Sequence, residues 1–233
     1  MRGPRKTAIV TGASQGIGAG IVSAFAERGF NVVAEVRACD HIALVDGHIG
    51  EPATAARIVE TALSRFESID VLVNNAGMFV TKPFTDYTAE DFKSLVSTNI
   101  EGFLYVTQLS IKQMLAQKTG GSIVTITAAL ARNPIRGVTA AVPMITKGGL
   151  ETITQHLAME YATDGIRVNA VAPGVVDTPL HKSDPKDALQ SLNPMGVISS
   201  VKDIVDAVVY LTDAATVTGD ILYVDGGAHF GCW

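Results

Sequence analysis

An apolar run of four residues, Thr7-Ala-Ile-Val10, ends in Thr11-Gly-Ala-Ser-Gln-Gly-Ile-Gly18, and from Ile17 to Arg28 the apolar residues recur at helical spacing. No other stretch restricts the fold as much. Strand, tight turn and helix form the unit that brings a backbone against a pyrophosphate. Glycines at 12, 16 and 18 remove the side chains that would block that approach, and the helix start offers unpaired N–H groups with a partial positive charge. Glycine also serves any turn that needs positive φ, so the signal lies in the placement after the first strand. The spacing is Gly-x-x-x-Gly-x-Gly rather than the Gly-x-Gly-x-x-Gly of the common fingerprint.

The alternation continues along the chain. Asn31 to Ala34 and His41 to Val45 read as strands, Ala53 to Phe66 as a helix, Asp70 to Val73 as a strand, and Ala89 to Gln117 as one long helix. Then come Ser122 to Thr127 (strand), Thr146 to Thr163 (helix), Arg167 to Val171 (strand), Val201 to Thr212 (helix) and Ile221 to Val224 (strand). Short, nearly all-apolar strands between helices imply a parallel sheet covered on both faces. The expected architecture is α/β: a Rossmann-like doubly wound sheet of about seven strands, in a single domain over 1–233. One junction resists this reading. Only residues 35–40 separate Ala34 from His41, whereas a parallel crossover needs roughly a dozen or more. Either the two strands are joined unusually, or a mobile segment of the native chain is omitted between about Arg37 and Asp40; the omission is favoured.

Composition narrows the class. With 233 residues, 47% hydrophobic and 18% charged, the chain suits one compact core and excludes disordered and collagen-like classes. Eighteen Lys and Arg against 23 Asp and Glu give a net charge of −5 with no block of like charges, which argues against nucleic-acid and polybasic membrane partners. The two cysteines, Cys39 and Cys232, have neither CxxC nor Cys/His spacing, so no disulfide framework or metal site is expected. A reducing, cytoplasmic compartment follows. The opening Met1 to Lys6 is basic but leads into a strand too short for a signal-peptide core, and no run approaches the ~20 apolar residues of a membrane span.

Further motifs follow the glycine turn in order: Asn74-Asn-Ala-Gly77, Asn99 within Ser97-Thr-Asn99, Gly121-Ser-Ile-Val124, Lys147, Arg167-Val-Asn-Ala-Val-Ala-Pro-Gly174 and Val224-Asp-Gly-Gly227. With Thr11 to Gly18 they make seven, and the chain resembles the short-chain dehydrogenase/reductase superfamily along almost its whole length. The resemblance implies a nicotinamide-dinucleotide site and usually a homodimer or homotetramer. Gly12, Ser14, Gly16, Ile17 and Gly18, with Gln15 in the same turn, would hold the pyrophosphate. Asn75, Ala76 and Gly77 would lie along the adenosine ribose, Pro173, Gly174 and Val176 would flank the nicotinamide, and Thr178 would sit near its carboxamide or the phosphates.

NAD(H) and NADP(H) are told apart at the end of the second strand, where a carboxylate accepts from the ribose 2′-OH and repels a 2′-phosphate. The family's position for that acid falls on Val36, followed by Arg37. A missing acid beside a guanidinium favours NADP(H), while Glu35, one residue earlier, keeps NAD(H) possible. Two further departures are Gln15, where many NADP-preferring relatives are basic, and His48, where an aspartate usually meets the adenine.

The largest departures are catalytic. The tyrosine that transfers the proton in this superfamily stands four residues before the lysine, and that position is Pro143; the serine that orients the substrate oxygen aligns with Ala128. Lys147 and Asn99 remain. Lys147 would bind the ribose hydroxyls and supply positive charge, and Asn99 would hold the helix bend and a relay water. Pro143 suits a helix start but carries no proton, and losing a positioned general acid typically costs about 10² to 10⁴ in rate. Lys147 is the first candidate for a substitute acid, since desolvation can bring its pKa toward neutrality. His181 is the second; Thr127, Thr139 and Thr146 are hydroxyls that orient a carbonyl but are poor acids.

Residues 181–197 are expected to form a variable lid, with Pro185, Pro194 and Gly196 as breakers. Met78, Phe79, Val142, Met144 and Met195 would make the pocket apolar, which favours a hydrophobic or aromatic carbonyl compound over a phosphorylated sugar. The helices 89–117 and 146–163 resemble those that relatives pack across a two-fold axis, and the terminal Trp233 suits burial at a neighbouring subunit. Two functions follow. One is an NADP(H)-dependent oxidoreductase with an atypical proton donor; the other is a catalytically weak dinucleotide-binding protein acting as a sensor or partner subunit.

Overall fold

The computed structural model describes residues 5–34, 40–182 and 185–231. Strands β1 (Thr7–Val10), β2 (Asn31–Ala34), β3 (Ile42–Leu44), β4 (Val71–Asn74), β5 (Gly121–Ile126), β6 (Ile166–Pro173) and β7 (Ile221–Val224) form one sheet in the order β3-β2-β1-β4-β5-β6-β7. Every neighbouring pair is parallel. Helices α1 (Gly16–Glu27) and α7 (Val201–Asp213) cover one face, around Phe25, Ile21, Ile204 and Leu211. The other face carries α2 (Pro52–Phe66), α4 (Gly102–Gln117) and α5 (Ala141–Glu160), around Ile69, Leu72, Met114 and Ile123. A short α3 (Ala89–Val96) precedes α4, and α6 (Lys186–Gln190) lies in the lid. The strands are uninterrupted apolar runs because both faces are covered. The expected α/β, doubly wound single domain is therefore the observed one.

Three elements differ from the sequence reading. The single helix expected over 89–117 is two helices joined by a π-helical turn, Ser97–Glu101. One extra residue per turn leaves the apolar residues of both flanking helices facing the sheet, so hydrophobic spacing does not reveal it. Secondly, α5 begins at Ala141, five residues before the expected Thr146. Pro143 is then its third residue, still among the first four whose N–H groups have no partner within the helix. Thirdly, β3 pairs in parallel with β2 across a connection of residues 35–41. Because Ile42 pairs with Val32, just two residues back from Ala34, the return covers only about 8 Å, within reach of so short a link. The omission read near Arg37 to Asp40, and the unusual join that is its alternative, fall largely on residues 35–39, outside the described residues.

Several polar atoms in the core are left unpaired. Asn74 and Thr125 are register partners on β4 and β5, Asn74 Nδ2 donates to Thr107 Oγ1 at 2.9 Å, and Asn74 Oδ1, Ser110 Oγ and Thr125 Oγ1 are buried without a hydrogen-bond partner among the described residues. An unpaired buried hydroxyl costs stability. Thr125→Val, nearly the same shape, is expected to leave the melting temperature unchanged or raise it; a loss above about 1 kcal/mol in denaturant unfolding would mean that Thr125 has a partner.

Candidate active site

The glycine turn is built by Thr11 and Asn75. Thr11 Oγ1 accepts from the Asn75 and Ala76 backbone N–H groups (3.1 and 3.0 Å), and Asn75 Nδ2 donates to the Thr11 and Gly12 carbonyls (2.9 and 2.7 Å). This joins the end of β1 to the end of β4. Gly12 has φ +61°, and a Cβ there would stand 2.7 Å from Ala76 Cα. Gln15 is the N-cap of α1, with extended backbone and no side-chain cap, and the first turn has no acidic residue. Ser14 and Gln15 are exposed. The structure places Gly12, Ser14, Gln15, Gly16, Ile17 and Gly18 in this turn and at the uncapped start of α1, where backbone N–H groups have no partner within the helix. Arg37, Val36 and Glu35, on which the cofactor reading rests, lie outside the described residues, as does Trp233.

Past the turn opens a cavity of about 560 Å³. Ile17, Asn75, Gly77, Thr127, Lys147, Pro173, Gly174, Val176, Thr178 and His181, all singled out from the sequence, line it together with Ala128. Lys147 is 7% exposed. Its Nζ donates to the Ile126 carbonyl at 2.9 Å, and burial brings its pKa down from 10.5 to about 8. A Cβ on Gly77 would lie 3.1 Å from Nζ, so glycine there leaves the ammonium its room.

Asn99 lies in the π-helical turn and is 2% exposed. Its Oδ1 accepts from Met78 N at 2.7 Å, and its Nδ2 donates to Met78 O and Thr146 Oγ1 at 3.1 and 2.9 Å. Thr146 Oγ1 donates in turn to Pro143 O at 2.8 Å. Asn99 thus clamps the segment after β4 to the second turn of α5, which carries Lys147. Pro143 is buried one turn before Lys147.

Thr127 and Ala128 follow β5, and both line the cavity. Thr127 Oγ1 lies 3.2 Å from Glu151 Oε1 and 3.3 Å from the Val171 carbonyl. Its hydroxyl is therefore engaged with α5 and β6. Burial pushes the Glu151 carboxyl up, against the pull of Thr127 and Arg132. His181 comes from the turn Pro179–His181, where the lid begins.

Sequence reasoning passed over two features. Asp225, quoted only as part of a motif, is 2% exposed and lines the cavity. It accepts from Gly227 N, from His229 N and from His229 Nδ1 at 3.0, 2.6 and 3.0 Å, and His229 stacks on Tyr223 with centroids 4.1 Å apart. An aspartate four residues before a histidine was the available signal. The second is Asn193 in the lid, whose amide would meet a Cβ on Gly226, so the lid end rests on the turn after β7. Among the described residues, no His, Cys, Asp and Glu group could hold a metal ion, and no helix is long and apolar enough to cross a membrane.

Sheet order, uncapped glycine turn and buried lysine beside a π-turn asparagine define a Rossmann-like domain of the dinucleotide-binding type. Residues 12–229 match a family profile described as enoyl-(acyl carrier protein) reductase. A tropinone reductase homolog from Arabidopsis thaliana is 36% identical over 248 residues, covering 95% of this chain and 92% of its own. A 3β-hydroxysteroid dehydrogenase from Eggerthella lenta is 31% identical, covering 95% and 93%. The crystal structure of a 3-ketoacyl-(acyl-carrier-protein) reductase from Brucella melitensis, complexed with NADH, superposes with a TM-score of 0.90 at 30% identity, covering 97% of this chain and 99% of that one. The chain belongs to the short-chain dehydrogenase/reductase superfamily, NAD(P)-dependent oxidoreductases of alcohols and carbonyl compounds.

Proposed function

We propose that the protein is an NADP(H)-preferring oxidoreductase that interconverts a carbonyl compound and its alcohol, with Lys147 replacing tyrosine as the proton donor. The observation that carries this reading is the buried Lys147 ammonium on the cavity wall, one turn after a proline. A bound nicotinamide supplies or accepts the hydride. The chain's own residues do the rest: the glycine turn holds phosphates, Pro173, Gly174 and Val176 bound the reacting volume, and Asn99 fixes the α5 turn that aims Lys147. In carbonyl reduction the Lys147 ammonium gives a proton to the developing alkoxide, and in oxidation the neutral amine takes it back. His181, on the same cavity, is the second candidate donor, and residues 181–197 act as the lid.

The preference for NADP(H) is supported by Val36 and Arg37 in the sequence; NAD(H) is the alternative cofactor. Partly exposed apolar residues on α3, α4 and α5, namely Phe92, Leu104, Ile145 and Met159, support a homodimer or homotetramer, which sedimentation velocity would read directly. Two cysteines in the whole chain suit the cytoplasm.

Pro143 and Ala128 favour a second reading, a dinucleotide-binding protein with little chemistry. Calorimetric titration with NADPH and with NADH separates the readings at the first step. Micromolar NADPH binding with weaker NADH is expected, and binding of neither would end the oxidoreductase reading. Installing the superfamily pair, Pro143→Tyr with Ala128→Ser, is expected to lower the turnover of an enzyme built around Lys147, because the phenol occupies the lysine's approach. A gain of activity would favour the dormant protein.

A further inference from the structure

Beyond the reacting end, two walls face each other across the cavity. One, from the connection between β5 and α5, presents Leu130, Ile135 and Val138; the other, from residues 180–192, presents Leu180, Leu189 and Leu192. Leu180 is 61% exposed although it lines the cavity, so its apolar surface is uncovered until something fills the cleft. Between Leu130 and Ile135, on the same wall, stands Asn133. Its backbone N–H reaches the Ala129 carbonyl at 3.4 Å, while its half-buried carboxamide makes no hydrogen bond among the described residues. Among the described residues no arginine lines the cavity. Of its ionisable side chains, Lys147 is at the reacting end, bonded to Ile126 O, Asp225 is a buried carboxylate, and His181 closes the turn Pro179–His181.

Resting on the oxidoreductase reading, we infer that the substrate is an uncharged, largely apolar ketone or secondary alcohol of ring size, with one hydrogen-bonding group remote from the reacting carbon, and that Asn133 is the residue that reads that group. A carboxylate or phosphate entering the outer cleft loses its hydration between apolar side chains, finds neither lysine nor arginine among the described residues there and meets Asp225 on the wall. A sugar fares no better: its several hydroxyls need several partners, whereas these walls are mostly leucine, isoleucine and valine, and the Asn193 amide is already bonded to Val197 O and Met195 N. A hydrogen-bonding site discriminates strongly because its own polar group is left unpaired by the wrong ligand.

The test measures binding of four probes by calorimetry, to the protein alone and to the NADPH-loaded protein. They are 4-phenylcyclohexanone, 4-(4-hydroxyphenyl)cyclohexanone, 4-oxocyclohexanecarboxylate and D-glucose. The hydroxylated ketone is expected to bind about tenfold more tightly than the phenyl ketone, and the carboxylate and glucose at least about a hundredfold more weakly. Asn133→Leu is expected to erase the advantage of the hydroxyl while leaving the phenyl ketone unchanged. Equal binding of the carboxylate or of glucose, an Asn133→Leu effect of the same size on both ketones, or no ketone binding at all would overturn the inference. NADPH affinity is read in the same series, so failure of the cofactor reading registers separately from failure of the substrate selectivity.

Discussion

Replacing Lys147 with methionine is expected to abolish turnover while leaving the protein as stable as the parent or more so. The two effects have one cause. Burial lowers the pKa of Lys147 from 10.5 to about 8, a shift worth on the order of 3 kcal/mol against the charged form in the folded state. Between about pH 8 and 10.5 the unfolded chain binds the lysine proton and the folded chain does not, so stability rises with pH through that window. Below it the full penalty of a buried ammonium is present. Methionine fills similar volume without charge, at the loss of one hydrogen bond to Ile126 O, about 1 kcal/mol. The rate should fall by about 10³ or more, since donor and charge disappear together. If Lys147 is the proton donor, the parent's carbonyl reduction is expected to decline as pH rises through about 8, because it needs the ammonium, whereas alcohol oxidation needs the amine and is expected to climb toward a plateau above it. Pre-steady-state rates with thermal unfolding of Lys147→Met decide the matter. A variant that loses stability but keeps its rate would make Lys147 a strut for β5 rather than a proton donor.

Gly18→Ala is expected to remove cofactor binding by a different route. A Cβ at Gly18 would fall against the Gly12 carbonyl, 2.6 Å from Asn75 Nδ2 and 2.8 Å from Ala13 Cα. Two of these are backbone atoms, and the third is locked by donating to the Thr11 and Gly12 carbonyls. Nothing there is the free end of a flexible side chain. The turn must open, and with it the pairing of Thr11 to Asn75 and Ala76. Stability is expected to drop by about 1–3 kcal/mol, and NADPH affinity by at least about a hundredfold, the turn being the phosphate site itself. Calorimetry on the folded variant, checked by circular dichroism, measures both. Unchanged affinity would move the pyrophosphate away from this turn.

Much of this was legible from the chain. Strands buried on both faces are continuous apolar runs, so their number followed from spacing, and glycines between a strand and a helix start marked the candidate phosphate turn. Lys147 and Asn99 were legible as motif members; Lys147 lines the cavity and Asn99 is buried beside it, bonded to Met78 and Thr146. What was hidden depends on three dimensions. The π-helical turn of Ser97–Glu101 does not disturb apolar spacing, so the clamp from Asn99 to Met78 and Thr146 cannot be counted out along the chain. The junction of β2 and β3 was legible as too short for an ordinary parallel crossover, and the two strands do pair in parallel. Thr127 looked like a hydroxyl for the substrate, and only the folded chain shows it engaged by Glu151. Asn133 is one asparagine in an irregular connection with no period, and it acquires meaning only from the leucines around it.

Asp225 and Ala228 finish the wall of a cavity whose opposite side begins with the glycine turn. During vectorial synthesis the turn and β1 leave the ribosome early, and β4, β5 and β6 add outward on one side of β1. A nascent chain halted between Asn193 and Asp225 would own the glycine turn, Asn99 and Lys147, yet Gly174 would lack the backbone it packs against, and Asn193 would lack the turn on which it sits. On the dinucleotide-binding reading, full binding is therefore expected only after β7 and the turn beyond it have been made, and chains truncated before Asp225 are expected to bind NADPH more weakly by calorimetry.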